Sequence, residues 1–252
     1  MRPVRCHTPH RQYRSHGVMA ACCLVFFALA VPQAGLADAD RILVPHQTVY
    51  KGTASAAPVR VRMRLEAESN DRWVYESKVG TRGWLAWKKG DIRESSEFSF
   101  ADEQIVSTAY RKKDTFSKKD RDIETRFSTD QVVSVYRGDE IVHQVAGQVF
   151  DLLNLRIKLM TDLARDRLQS HYQVVDGKGR LKTLEVRRVG EESVTTKQGE
   201  FDAIRLEYDD DDKRFLIWIS PRLNYQLVRI DQHEDDKLKA SLILDSYQES
   251  TD

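Results

Sequence analysis

The chain is nearly free of cysteine. Its 252 residues include three, Cys6, Cys22 and Cys23, all close to the N-terminus. Everything after Cys23 can form no disulfide and offers neither a thiolate nucleophile nor a sulfur ligand for a metal. Small exported domains commonly rely on disulfides because their cores are too small. Here about 210 residues follow the leader described next, enough to bury a large core without them. A long apolar run is missing too. The longest small-or-apolar stretch, Gly17 to Val31, stops at Pro32 and falls short of the roughly 20 residues a membrane-spanning helix needs. An excess of one charge is also absent, with 40 basic against 39 acidic residues, which leaves no electrostatic footprint for nucleic acid.

What is present at the N-terminus is ordered. Arg2, Arg5, Arg11 and Arg14 form a basic start, the apolar run follows, and Gly35-Leu36-Ala37-Asp38-Ala39 supplies small residues. That order is the signature of a secretory signal peptide. It predicts a leader over residues 1–39, cut after Ala37 or Ala39, and a single exported domain over residues 40–252 with no membrane span, placed in the periplasm. A cut after Ala37 leaves 36 basic against 39 acidic residues. Met19-Ala20-Ala21-Cys22 faintly resembles a lipidation box, but most of the apolar run comes after it, so lipidation there would leave no segment to insert.

Period-2 alternation dominates the remainder. Val59 to Ala67 places every apolar residue on one face and every charge on the other, a half-buried strand. Glu68-Ser69-Asn70-Asp71 supplies a turn before Trp73, Tyr75 and Val79 resume the pattern as the second arm of a hairpin. Further strands are predicted at 123–127, 132–136, 181–189, 201–208, 214–220, 225–232 and 238–247. Asp176-Gly177, Gly190-Glu191 and Pro221 to Asn224 read as connections. The fold class is mainly β, an antiparallel curved sheet or half-barrel of about a dozen strands. One segment breaks the rhythm: the apolar residues between Gln148 and Arg167 follow the helical period, with Asp151 in the first turn, and predict an amphipathic helix over about 148–167 that covers one face of the sheet.

Several stretches taken in order resemble a known family. They include Tyr75-Glu76-Ser77, Gly83-Trp84-Leu85-Ala86-Trp87, Gly90 to Ser95, Val174-Val175-Asp176-Gly177, Thr196 to Phe201, and Trp218-Ile219-Ser220-Pro221 leading to Tyr225. The set is similar to the domain of unknown function 3108, found in periplasmic proteins of proteobacteria, and spans roughly Val49 to Tyr247. The resemblance implies an exported β-rich domain, comparable in shape with the half-barrels of lipoprotein carriers, and brings no catalytic residues with it. One departure is visible: family members carry a Gly-rich segment near the first strand, where this chain has Thr53 to Pro58.

Catalytic motifs are sparse. After the leader the histidines are His46, His143, His171 and His233, and no two have the spacing that presents a metal pair. His233-Glu234-Asp235-Asp236 is the one ligand-rich cluster, and it reads as a solvated turn. Asp209 to Asp212 has neither the length nor the central glycine of a calcium loop. No Gly-x-Ser-x-Gly elbow exists. An envelope hydrolase would need a histidine and carboxylates converging in a cleft. No catalytic residue, metal site or cofactor is assigned.

Binding is better supplied. Trp84, Trp87 and Trp218, with Lys88 and Lys89 beside the first two, could grip an apolar or amphipathic envelope ligand such as a lipid or glycan, the lysines meeting an anionic head group. The expected function is therefore a non-catalytic binding or chaperone-like domain. The alternative is a scaffold whose surface strands and basic hairpin, around Lys112, Lys113 and Lys118, dock onto another envelope protein.

Overall fold

Alternation over most of the chain leaves strand pairing as the way to satisfy the backbone, and the computed structural model shows one continuous 15-stranded sheet. It describes residues 43–250 apart from 70, 86–89 and 117–120, and the backbone but not the side chain of Trp84. The first half is a meander of β1 (His46–Ala54), β2 (Ala57–Ser69), β3 (Arg72–Thr81), β4 (Ile92–Ala101), β5 (Gln104–Asp114), β6 (Ile123–Phe127), β7 (Gln131–Tyr136) and β8 (Asp139–Gln144). The second half begins with β9 (Val149–Asp151), α1 (Asn154–Ala164) and β10 (His171–Val175). It continues through β11 (Leu181–Thr196), β12 (Gly199–Asp210), β13 (Lys213–Ser220), β14 (Gln226–Glu234) and β15 (Lys237–Glu249). Every neighbouring pair is antiparallel except β9 with β10. The two halves join where β1 pairs with β15.

The expected strands are all present, and 15 rather than about a dozen are needed because short pieces such as β9 join the sheet. Two boundaries move. The helix runs over Asn154–Ala164, and Val149–Asp151 pairs with β10 instead of starting it. Asp151 Oδ1 accepts hydrogen bonds from the amides of Leu153 and Asn154, both at 2.8 Å. That carboxylate caps the helix from outside its first turn, so the chain is extended before it and helical after it. Gly190-Glu191 is not a turn but a register shift inside β11, with Gly190 at φ 149°. Between β1 and β2, Ser55 and Ala56 make a two-residue turn at φ 47° and 65° without any glycine.

Inward-facing residues of both halves form one core with α1. Tyr50, Met63, Leu65, Tyr75 and Phe98 come from the first half, and Leu206, Ile217, Trp218 and Val228 from the second. The helix is buried on nearly all sides, including Leu155, Ile157, Leu159, Met160 and Leu163, as expected for a helix surrounded by protein. Asn154 Nδ2 donates to Ser107 Oγ on β5 and Tyr172 Oη on β10 donates to Asp162 of α1. The plug is thus tied to both halves of the sheet. The turn between β10 and β11 reaches back to the first half, where Gly179 O lies 2.7 Å from His143 Nε2 of β8. Gly179 sits at φ 78°, and a Cβ there would lie 2.9 Å from that of Ser134 on β7, so this contact needs glycine.

Candidate functional site

The expected binding residues are placed unevenly. Trp218 lies in β13 at 3 % exposure, within the core. Its indole N–H donates to Glu192, and the Arg229 guanidinium stands 4.6 Å from its ring centroid. Trp84 is the middle residue of a short 3-10 turn, Gly83–Leu85, while Trp87, Lys88 and Lys89 lie outside the described residues. So does Lys118. Lys112 and Lys113 occupy opposite faces of β5. Lys112 is half-buried with its Nζ 3.6 Å from Glu94 Oε1, and Lys113 is exposed.

Around the aromatic pair beside α1 the interior leaves little room for a ligand. A pocket of about 130 Å³ lies beside α1, bounded by Leu152, Leu153, Arg156, Tyr208 and Phe215. Tyr208 and Phe215 stack there at 5.0 Å. Burial pushes the phenols of Tyr50 and Tyr208 up to about 12, so they remain neutral hydrogen-bond donors at any physiological pH.

The histidines hold structural positions. His46 is fully buried with Nδ1 2.7 Å from Val44 O, and burial lowers its pKa. His143 meets the Gly179 carbonyl and His171 meets Ser170 Oγ. Asp235 and Asp236, beyond His233, form a two-residue turn at φ 51° and 56°. The aspartate run is engaged by cations: Asp211 accepts from Arg180 and Lys182, both at 2.7 Å, and Asp210 from Lys182 at 2.5 Å. Among the described residues no group of three or more histidine, aspartate or glutamate side chains could hold a metal ion.

More space lies outside the sheet. A groove of about 580 Å³ crosses the outer face of β2 to β6. It is walled by alternate, outward-pointing residues, among them Arg62, Lys78, Arg93, Arg111 and Lys113. Asp91 lies beside it and bridges Lys78 at 3.2 Å and Arg93 at 3.0 Å. Desolvation is the largest single influence and opposes its ionisation, but the hydrogen bonds and charges of Arg93 and Lys78 together outweigh it and hold its carboxyl below the usual range. A second groove, about 470 Å³, runs between β5 and β9, carries no charged residue, and reaches the inward-facing Ile105, Ser107, Val132 and Val149 at the edge of the sheet.

The family model for proteins of unknown function called DUF3108 matches residues 48–242. The chain belongs to this family. Among solved structures, the β-barrel-like DUF1849 protein of Brucella abortus is similar at 11 % identity and TM-score 0.56, covering 82 % of this chain and 98 % of that one. A "putative lipoprotein" from Parabacteroides distasonis matches at 12 % identity and TM-score 0.34, covering 82 % and 96 %. The first likeness is one of fold. No curated protein matches the chain. No helix among the described residues is long and apolar enough to cross a membrane.

The outer groove was not foreseen. Its residues were visible as the polar half of each alternation, but which of them stand side by side depends on strand register.

Proposed function

We propose that this DUF3108 domain is a non-catalytic binding module of the periplasm that works through the outer face of β2 to β6. The leader ending at Ala37 or Ala39 supports export, and residues 40–252 act as one domain. The observation that carries the reading is a contrast of spaces. The middle of the curve is taken up by α1 and its aromatic neighbours, and the uncharged groove at its edge is the smaller space, whereas a charged groove of about 580 Å³ lies open on the outside. A carrier that encloses an acyl chain needs the reverse, since a ligand pocket buries most of its occupant. The connection bearing Trp84, Trp87, Lys88 and Lys89 leaves β3 at Thr81 and returns at Ile92, next to Lys78 and Arg93 of the groove. In this reading those four residues extend the docking face.

Site-specific photo-crosslinking in the native envelope tests it. A crosslinker at Arg111 or Glu124, on the groove, is expected to give discrete adducts, and one at Glu207 or Glu185, in the second half, is expected to give none. Adducts spread evenly over both halves would defeat the reading. So would recovery of a stoichiometric lipid by native mass spectrometry of protein carrying charge reversals across the groove, because that lipid would have to sit inside.

A further inference from the structure

The outer groove holds a charge arrangement that strand pairing normally avoids. Arg62 on β2 stands directly opposite Lys78 on β3, Lys78 opposite Arg93 on β4, and Arg93 opposite Lys113 on β5. All four are exposed. Like charges directly opposite one another destabilise a strand pair, and here three such pairs follow in a row. The adjacent row shows the ordinary solution: Arg64, Glu76, Ser95, Arg111 and Glu124 succeed one another across the sheet with signs mixed. With strands about 4.8 Å apart, the four cations extend over about 14 Å.

The protein neutralises only the middle of this ladder, where Asp91 bridges Lys78 and Arg93. Arg62 and Lys113, at its two ends, have no ion pair among the described residues. A ligand that relieves the repulsion must therefore bring negative charge to both ends. Phosphate suits this because it carries up to two charges and three strong acceptor oxygens, so one group can accept from cations on neighbouring strands. One phosphate cannot reach both ends across about 14 Å, which sets the number at two or more. The walls between the charged tips are the aliphatic stems of arginine and lysine, a surface for the apolar base of a lipid head group.

We propose that the ladder of Arg62, Lys78, Arg93 and Lys113 binds the head group of a lipid bearing two or more phosphates. The inference rests on the outward-facing reading above and names the ligand class of that face.

The test uses the whole mature domain in co-sedimentation with phosphatidylcholine vesicles, with or without cardiolipin, whose head group carries two phosphates, and with sodium tripolyphosphate as a soluble competitor. Binding is expected to the cardiolipin vesicles alone, to fall as salt rises, and to be reversed by tripolyphosphate. The double variant R62E/K113E is expected to weaken it at least tenfold. The milder R62Q/K113Q should lie between, and K178E/K237E, with two exposed lysines outside the groove, should bind like wild type. Circular dichroism reports whether each variant folds. Equal binding by R62E/K113E, or an equal loss in K178E/K237E, overturns the ladder as the site. Binding of tripolyphosphate without vesicle binding overturns the lipid source, and binding of neither overturns the phosphate chemistry. Those negative results leave the crosslinking pattern of the groove face intact, so the two readings fail separately.

Discussion

Replacing Asp151 by asparagine should change how stability responds to pH more than it changes stability itself. Asp151 is fully buried at the junction of β9 and α1. Its Oδ2 accepts from Ser96 Oγ of β4 at 2.6 Å, and Oδ1 accepts the two amides that open the helix. Burial raises its pKa from 3.8 to about 6, against the pull of those hydrogen bonds. A carboxyl raised on folding stabilises the native state fully below its unfolded pKa, and the contribution is lost as pH rises through the folded value. The window is therefore about pH 4 to 6, and the shift of roughly two units corresponds to ~3 kcal/mol at most. Asparagine keeps an oxygen for the amides of Leu153 and Asn154 and turns an NH2 toward Ser96 Oγ, at a cost of about 1 kcal/mol. Urea unfolding of wild type and D151N at intervals from pH 4 to 7.5 is the assay. The difference between the two should move in favour of the variant by up to ~3 kcal/mol across that window. A difference that stays constant from pH 4 to 7.5 would refute the reasoning. Asp151→Ala, which leaves both helix amides and Ser96 without their acceptor, should be about 2–4 kcal/mol less stable than D151N at every pH, because neither variant titrates there.

Other outcomes follow from single contacts. A Cβ at Gly52 would fall 1.7 Å from Ser241 O across the β1–β15 pair, so Gly52→Ala should lose about 1–3 kcal/mol and loosen amide-exchange protection on both strands. Trp218→Ala removes a buried indole, its hydrogen bond to Glu192 and its contact with Arg229; chemical denaturation should show a loss of about 3–5 kcal/mol. Asp176 resists ionisation through burial, but the amide and side chain of Arg180 outweigh that and hold its carboxyl below the ordinary value. Its stabilisation is present above the unfolded pKa and lost as pH falls through the lower folded one. Asp176→Asn should therefore flatten the acid limb of the unfolding curve below pH about 4.

The architecture was largely legible because it is written in short-range terms. Val59 to Ala67 alternates so regularly that β2 could be neither a helix nor a buried parallel strand. The family resemblance agreed with it over nearly the same span. Boundaries moved where a side chain overrides periodicity. Leu152, Leu153 and Val149 satisfy a helical stripe as readily as a strand followed by a cap, and the bonds from Asp151 to the amides decide between them. The site was less legible for a different reason. Lys78, Arg93 and Lys113 are far apart in sequence, and each is unremarkable on its own strand. They become one ladder only through the register that pairs 62 with 78, 78 with 93 and 93 with 113, and register depends on turn lengths. Trp218 drew notice as an aromatic residue, but β13 is buried throughout Ile217–Ser220, and Glu192 and Arg229 engage the indole.

The seam between β1 and β15 gives this domain the topology of a closed ring with one cut. Strands adjacent in sequence are adjacent in the sheet throughout the long meanders, and among the described residues the seam is the one strand pairing between the two halves. Ser250 N donates to Pro45 O at 2.8 Å, so the described segment ends beside its own beginning. A short linker there, with new ends opened at the Lys197-Gln198 tip between β11 and β12, would yield a circular permutant with the same sheet. For a chain threaded across a membrane from its N-terminus, the same layout sets an order of assembly. β1 would wait with one edge unpaired until the last strand emerges, so the β1–β15 seam would be the last pairing of the sheet to form.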